Sequence, residues 1–257
     1  MTPWSPPTPA LLYGALLLTL ALASLFFGGF TRLRLLLAPL PSDPTPTLPL
    51  PTPTFLLGTT AIGLTTWLYP TLLPGCVLAV GMILLGFGGK KPISFWGLHR
   101  TQPVRDLALS LRTMLTLFIP IIILLLASAL LTLALGLPLE PQPAMTRFLE
   151  ARDTKTLLPF LTYALIIAPI SEEIFFRGTL FPWLAHRLPL AQAQWISALA
   201  FGAVHLHTPT LIPLTFFGVA LAGIFRTTQS IIPSILVHSF FNANTCLIIL
   251  LARPPLS

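Results

Sequence analysis

Long apolar runs without charge most constrain what this chain can fold into. The runs at about residues 10–30 and 113–137 contain no charged side chain, and they approach the ~20 residues with which an α-helix crosses ~30 Å of hydrocarbon. Only 8% of the residues are charged and the mean hydropathy is +0.87, whereas soluble domains carry about 25% charged residues. The alternating segments of about ten residues that form membrane β-barrels do not occur. The sequence therefore predicts an all-α, polytopic transmembrane helical bundle.

About eight spans are predicted. Their approximate bounds are 10–30, 54–69, 71–89, 113–137, 157–185, 192–206, 210–225 and 231–251. Residues 54–89 are too long for one span and short for two, and Pro70 with Pro74-Gly75 favours a turn between them. The first run is interpreted as a retained span within residues 1–38, because Met1–Pro9 carries no positive charge and the run is longer than a usual signal-peptide core.

Residues 39–53 contain seven prolines, which predict an extended linker rather than a helix. A spacer is the expected role, and recognition of the prolines by a partner is the alternative. With this linker and a hairpin at 54–89, nine basic residues lie on the cytoplasmic side and four outside, as the positive-inside rule favours. We therefore expect a multi-pass protein of the plasma membrane with both termini exported.

The net charge of +7 does not indicate a nucleic-acid partner. The basic residues are scattered at the ends of apolar runs, where they set orientation, and no basic block lies on a soluble face. Nucleic-acid binding is therefore not expected.

Two adjacent glutamates lie in a stretch that is otherwise typical of membrane. Glu172 and Glu173, followed by Arg177, are the only charges from Leu157 to Leu184, and carboxylates at bilayer depth are costly enough to mark functional sites. Glu173 and Arg177 have the i,i+4 spacing of a helical ion pair. Glu172 is rotated by about 100° and is free to face a different cavity, where it can serve as a general base acting on water. A structural ion network is the alternative.

Two histidines lie in later apolar segments. His205 follows Phe201, and Asn242 follows His238, each at a spacing of four residues. His238 and Asn242 share a helix face, from which they can hold a water, bind a metal or donate to an oxyanion. Each histidine alone is as well explained by a structural hydrogen bond. Because polar residues are so few at this depth, a single intramembrane polar cavity explains them better than separate structural roles.

The three motifs together resemble a known set. Glu172-Glu173-Ile-Phe-Phe-Arg177, Phe201-x-x-x-His205 and His238-x-x-x-Asn242 are similar to the EExxxR, FxxxH and HxxxN motifs of the CPBP family of intramembrane proteases, which includes CAAX proteases and bacteriocin-processing (Abi) proteins. The resemblance implies a catalytic core at 157–251, preceded by a variable transmembrane region at 54–156. The catalytic residues that it implies are Glu172, Glu173, Arg177, His205, His238 and Asn242.

This resemblance implies an intramembrane endopeptidase. A glutamate-activated water would hydrolyse a peptide bond in a membrane-associated protein or peptide, including one with a prenylated CAAX-type C-terminus. Membrane lipid and that substrate are the expected partners. A divalent metal such as zinc stays open as a cofactor, since members resemble metalloproteases in name, although the HExxH motif of zincins is lacking.

Two other function classes compete with the protease. A non-catalytic membrane binder or bacteriocin immunity protein could use the same core. A transporter or proton relay also uses buried carboxylates, but the sequence shows none of the internal symmetry that such proteins have.

The predicted topology contains one geometric conflict. His205 falls near the outer end of the span at 192–206, while Glu172 falls near mid-membrane. The two side chains can meet only if that helix is short, tilted or ends within the bilayer.

Overall fold

A computed structural model describes residues 8–38, 102–151 and 153–252. Within these ranges the chain forms α-helices, π-helical turns and short connections but no strand, so the predicted all-α fold is confirmed. The predicted linker at 39–53 and the predicted spans at 54–69 and 71–89 lie outside the described residues.

The described residues contain ten α-helices. They are α1 (Thr8–Ser24), α2 (Phe30–Leu37), α3 (Pro103–Ala134), α4 (Pro143–Glu150), α5 (Thr154–Thr162), α6 (Ala168–Phe175), α7 (Phe181–Ala185), α8 (Leu190–Ala203), α9 (Thr208–Thr228) and α10 (Ile232–Ala252). Three short segments join consecutive helices: the kink Leu25–Gly29 joins α1 to α2, and the π-helical turns Tyr163–Ile167 and Phe176–Leu180 join α5 to α6 and α6 to α7.

Five helical segments among the described residues are long and apolar enough to cross a membrane. They are Pro9–Leu37, Pro103–Ala134, Thr154–Ala185, Thr208–Thr228 and Ile232–Ala252. Each contains most or all of a predicted span, which makes the chain an integral membrane protein.

The predicted span at 192–206 forms a helix too short to cross a membrane. Helix α8 has 14 residues and is about 21 Å long at 1.5 Å per residue, less than the ~30 Å of the hydrocarbon core. The predicted number of eight spans is therefore not confirmed by the described residues.

Local sequence signals explain where the helices begin and end. Helices α3, α4 and α9 each have a proline in the first turn, where the missing N–H costs no helical hydrogen bond. Asp153 caps α5 by accepting from the Thr156 backbone N–H at 2.9 Å, and this hydrogen bond lowers the pKa of the Asp153 carboxyl. Helix α9 ends where Gln229 takes a left-handed φ of 53°, which turns the chain towards α10.

The first span is kinked at Leu25–Gly29. Phe27 and Gly28 leave helical geometry there, and Gly28 has a φ of 88°, a conformation that glycine adopts without steric cost. Because of this kink, one span packs against two different helices, with α1 against α3 and α2 against α9.

Helix α9 lies at the centre of the bundle. All ten residues from Phe217 to Arg226 are buried, and small side chains let its neighbours approach closely. A Cβ at Gly218 would lie 3.0 Å from the Ala198 Cα, and a Cβ at Gly202 would lie 2.6 Å from the Thr215 Oγ1. Such small-residue contacts are typical of packed membrane helices, and they hold α8 against α9.

The charges divide between the two ends of the bundle. One end, called here the basic end, is formed by the end of α2, the start of α3 and the turn from α9 to α10. Two hydrogen bonds connect these parts: the Leu36 carbonyl accepts from Gln194 Nε2 at 2.7 Å, and Ser110 Oγ donates to the Pro233 carbonyl at 3.2 Å. Its arginines are Arg32, Arg34, Arg105, Arg112, Arg187 and Arg226. The described ionic residues of the opposite end are Glu140, Arg147, Glu150, Asp153 and Lys155. That the basic end faces the cytoplasm stays a prediction of the positive-inside rule.

Candidate functional site

A buried ion pair anchors the candidate site at the middle of the bundle. Arg177 Nη1 lies 2.9 Å from Glu173 Oε1, and the two side chains are 1% and 0% exposed. The same guanidinium donates from Nη2 to the Gly218 carbonyl at 3.2 Å. Gly218 lies halfway along α9. The predicted i,i+4 pair is therefore present and lies level with the middle of α9.

The imidazole of His238 lies between the two glutamates. Its Nδ1 is 2.9 Å from Glu173 Oε1, and its Nε2 is 3.9 Å from Glu172 Oε2. Because an ionised carboxylate can only accept, Nδ1 donates to Glu173. The expectation that Glu172 faces a different cavity is wrong, since His238 projects from α10 between the two carboxylates. The rotation from one glutamate to the next decides only which ring nitrogen each carboxylate reaches.

The two carboxylates differ in access. The Glu172 side chain is 22% exposed, whereas that of Glu173 is 0% exposed. Glu172 therefore has the open position in the site, and Glu173 is held by Arg177 and His238.

His205 lies in the turn after α8 rather than on a helix. Its Nδ1 is 2.8 Å from the Phe201 carbonyl, which can only accept, so Nδ1 donates to it. Because α8 already ends at Ala203, the condition that this helix be short is met. The turn continues through Leu206, whose φ is 49°.

The ring of Phe201 brings the motifs together. Its centroid is 5.2 Å from the His205 ring and 5.7 Å from the His238 ring. The guanidinium carbon of Arg177 lies 4.3 Å from the same centroid, a cation–π distance. Residues of all three motifs thus contact one side chain, which is itself fully buried.

Two phenylalanines were not among the predicted site residues. Phe201 was visible in the sequence as the first residue of the FxxxH motif. Phe217, whose ring is 5.7 Å from the His238 ring, belongs to none of the motifs, and only the packing of α9 against α10 shows its place.

Asn242 connects α10 to the helix that carries the glutamates. Its Nδ2 donates to the Ala164 carbonyl at 2.8 Å. In the i→i+5 pattern of the Tyr163–Ile167 turn, Ala164 would pair with Pro169, which has no N–H. The side chain of Asn242 therefore supplies the donor that the proline lacks.

π-helical turns bound the glutamate helix on both sides. Helix α6 follows Tyr163–Ile167 and precedes Phe176–Leu180, and such turns occur frequently at functional sites. In the second turn, Thr179 Oγ1 donates to the Ile174 carbonyl at 2.9 Å, five residues earlier. This side-chain bond supplies a donor to the Ile174 carbonyl, whose backbone partner in an α-helical pattern would be a different residue.

The donors do not fit the zinc site that the resemblance left open. Structural and catalytic zinc sites use three or four protein ligands, and the ranges described here contain no group of three or more His, Cys, Asp or Glu side chains arranged to hold a metal. His238 already uses Nδ1 on Glu173, which leaves its Nε2 and the Glu172 carboxylate as two neighbouring donors.

Comparisons with known proteins point to one family. Residues 154–244 match the family model of the type II CAAX prenyl endopeptidase Rce1-like proteins. The chain is also 35% identical over 77 residues to CAAX prenyl protease 2 of Rattus norvegicus, an alignment that covers 30% of this chain and 25% of that protein. The chain thus spans about a quarter of the length of this curated relative. No solved structure matches the chain significantly.

The matched segment contains all six predicted site residues, and the predicted resemblance to the CPBP family of intramembrane proteases is confirmed.

Proposed function

We propose that this chain is an intramembrane endopeptidase that hydrolyses a peptide bond in a membrane-associated protein or peptide. The observation that carries this proposal is one imidazole held between two carboxylates at the middle of a membrane bundle. The match to the CAAX prenyl endopeptidase family favours substrates with a prenylated C-terminus. Buried ionisable groups are costly in a membrane and mark functional sites.

Glu172 is the proposed general base. The 3.9 Å between its Oε2 and His238 Nε2 is too long for a direct hydrogen bond, and Oε2 is buried without a hydrogen-bond partner among the described residues, so the attacking water is proposed to bind on the exposed part of the carboxylate. Glu172 takes a proton as this water attacks the scissile carbonyl carbon, and it returns the proton to the leaving amine when the C–N bond breaks. The greater exposure of Glu172 fits this role.

Glu173 and Arg177 are proposed to hold His238 in its working orientation. Glu173 accepts the Nδ1 proton, which points Nε2 towards Glu172. When His238 carries both ring protons, its charge and that of Arg177 balance the two carboxylates, and Nε2–H can donate to the developing oxyanion. Such a donor is worth about 3 kcal/mol in the transition state.

Asn242 and His205 complete the proposed site. The amide of Asn242 has two N–H groups, of which one is bound to Ala164 and the other is proposed to join His238 at the oxyanion. Nε2 of His205, whose Nδ1 is already bound to the Phe201 carbonyl, is proposed to orient the attacking water.

A cleavage assay tests the proposal. The full chain is purified in detergent and incubated with a fluorogenic prenylated peptide, its unprenylated counterpart and candidate membrane peptides, with and without a chelator. Glu172→Gln should lower the rate by about 10²–10⁴-fold, the usual contribution of a general base, and its thermal unfolding should match that of the wild type. The control is Glu150→Gln, because Glu150 is an exposed carboxylate on α4.

Full activity in Glu172→Gln would refute the assignment of the base. Binding of the peptides by the wild type without any turnover would favour the membrane binder. Comparison of the rates with and without the chelator measures metal dependence independently of these two outcomes.

A further inference from the structure

The turn between α8 and α9 carries a second histidine, which the proposed mechanism does not use. His207 is the last residue before α9, and both nitrogens of its ring have partners. Nε2 lies 2.8 Å from the Glu140 carbonyl oxygen, and Nδ1 lies 3.0 Å from Thr210 Oγ1. Because a carbonyl oxygen can only accept, Nε2 donates to Glu140. The ring thus ties the turn to the connection between α3 and α4, 67 positions earlier in the chain.

A side chain from the same connection strengthens this tether. Gln142 Nε2 donates to Thr210 Oγ1 at 2.7 Å, so the hydroxyl that contacts His207 is held from its other side as well. When Nδ1 carries no proton, this hydroxyl donates to it; when Nδ1 is protonated, the hydroxyl accepts and donates instead to the His207 carbonyl at 3.3 Å. The tether therefore persists in both protonation states of the ring.

Leu206, between the two histidines, has a backbone conformation that needs support from its neighbours. Its φ of 49° is left-handed, and such a residue costs about 1–3 kcal/mol and persists only where the surrounding structure imposes it. The Leu206 side chain is 93% exposed, so its own packing does not supply that support. Its backbone N–H donates to the Ala203 carbonyl at 3.0 Å, which holds the turn towards α8. On the α9 side, the ring of His207 holds it.

We propose that His207 is a positioning residue that keeps His205 in place to orient the attacking water. This inference rests on the role proposed above for His205. His205 shares a peptide bond with Leu206, so relaxation of the left-handed φ would move the His205 ring away from the Phe201 carbonyl. A displacement of ~1 Å in a catalytic group can lower the rate about 10²-fold.

The kinetic test uses the full chain in detergent and the peptide cleavage assay. His207→Ala should lower kcat by up to about 100-fold with little change in KM, because His205 is proposed to contact the water rather than the substrate. His207→Gln should recover most of the lost rate, since its Nε2 amide can still donate to the Glu140 carbonyl. The control is His186→Ala, because His186 is exposed in the loop before α8, and it should cleave like the wild type.

Nitrogen-15 NMR of the histidine rings measures the placement of His205 without any cleavage. In the wild type, Nδ1 of His205 carries the proton that it donates to Phe201. In His207→Ala the two ring nitrogens should shift towards an average over both tautomers, and His205→Ala identifies their signals. A wild type that cleaves none of the peptides would refute the proposed function, and the NMR signals would still decide whether His207 positions His205.

A double variant separates positioning from general stability. His205→Ala/His207→Ala should cleave at the rate of His205→Ala, because His207 acts only through His205. If His207→Ala does not fold, His207→Asn replaces it: its shorter amide can still contact Thr210 but does not reach the Glu140 carbonyl, and it should change kcat and the His205 signals in the same direction.

Three results would overturn the proposal. They are wild-type kcat in His207→Ala, unchanged His205 signals in that variant, and a further loss of rate in the double variant as large as the loss that His207→Ala causes in the wild type.

Discussion

Removal of the guanidinium of Arg177 should destabilise the bundle strongly. Methionine at this position keeps much of the side-chain volume but leaves the Glu173 carboxylate buried with only the hydrogen bond from His238. At 2.9 Å and an effective dielectric constant of about 20, the lost attraction is about 6 kcal/mol before desolvation is subtracted. Breaking a buried pair from one side costs about 3–5 kcal/mol in practice.

The expected cost is towards the lower end of that range, because Glu173 still accepts from His238 Nδ1. For a chain of this size, each kcal/mol shifts the unfolding temperature by about 2–4 °C. Arg177→Met should therefore unfold roughly 6–12 °C below the wild type.

A double-mutant cycle separates the ion pair from general packing. Glu173→Gln removes the paired carboxylate of the buried Arg177, and Glu173→Gln/Arg177→Met removes both charges of the pair together. The double variant should be at least as stable as Arg177→Met, because no unpaired charge is left in the interior. Its peptidase activity should nevertheless stay low, since His238 has lost its anionic partner. Thermal unfolding in detergent and the cleavage assay are measured on the same samples.

Two results would refute this reasoning. Single losses that add to within about 0.5 kcal/mol in the double variant would show that the two charges are not coupled. Wild-type activity in the double variant would show that Glu173 does not orient His238.

Two further predictions concern the backbone around the site. Gly218→Ala should destabilise the protein by about 1–3 kcal/mol, because the new methyl group would lie 3.0 Å from the Ala198 Cα. The control Gly14→Ala, with nothing within 4 Å of the new methyl group, should be neutral or slightly stabilising. Thermal unfolding compares the two variants, and equal effects would contradict the close contact of α8 and α9. Asn242→Ala should lower the free energy of unfolding by about 1–3 kcal/mol, because the Ala164 carbonyl loses its donor. Asn242→Gln should not restore stability, because its amide is one methylene further from the backbone. An unchanged stability of Asn242→Ala would show that this hydrogen bond contributes nothing.

The sequence predicted the membrane character and the helical fold because both depend on local composition. A run of about 20 uncharged apolar residues can satisfy its backbone in lipid only as a helix or in a closed barrel. It also predicted the ion pair of Glu173 and Arg177, since i,i+4 spacing on one helix fixes which side chains meet.

The length of α8 was predicted to within one residue, but its end and the environment of Glu172 were not. The apolar run at 192–206 does not show that the helix ends at Ala203, because that end depends on the turn that carries His205. The rotation of Glu172 relative to Glu173 gave the directions of both side chains, but not that an imidazole from α10 would lie between them.

By itself the sequence determined that this chain crosses the membrane as helices and that its scarce polar residues fall into three motifs. Those properties follow from periodicity and from the cost of charge in hydrocarbon, which act along a few helical turns. Only the tertiary structure decided that Phe201 connects the motifs, that both glutamates reach His238, and that Asn242 donates to Ala164. These contacts join residues up to 78 positions apart, and the crossing of packed helices, rather than any local pattern, sets them.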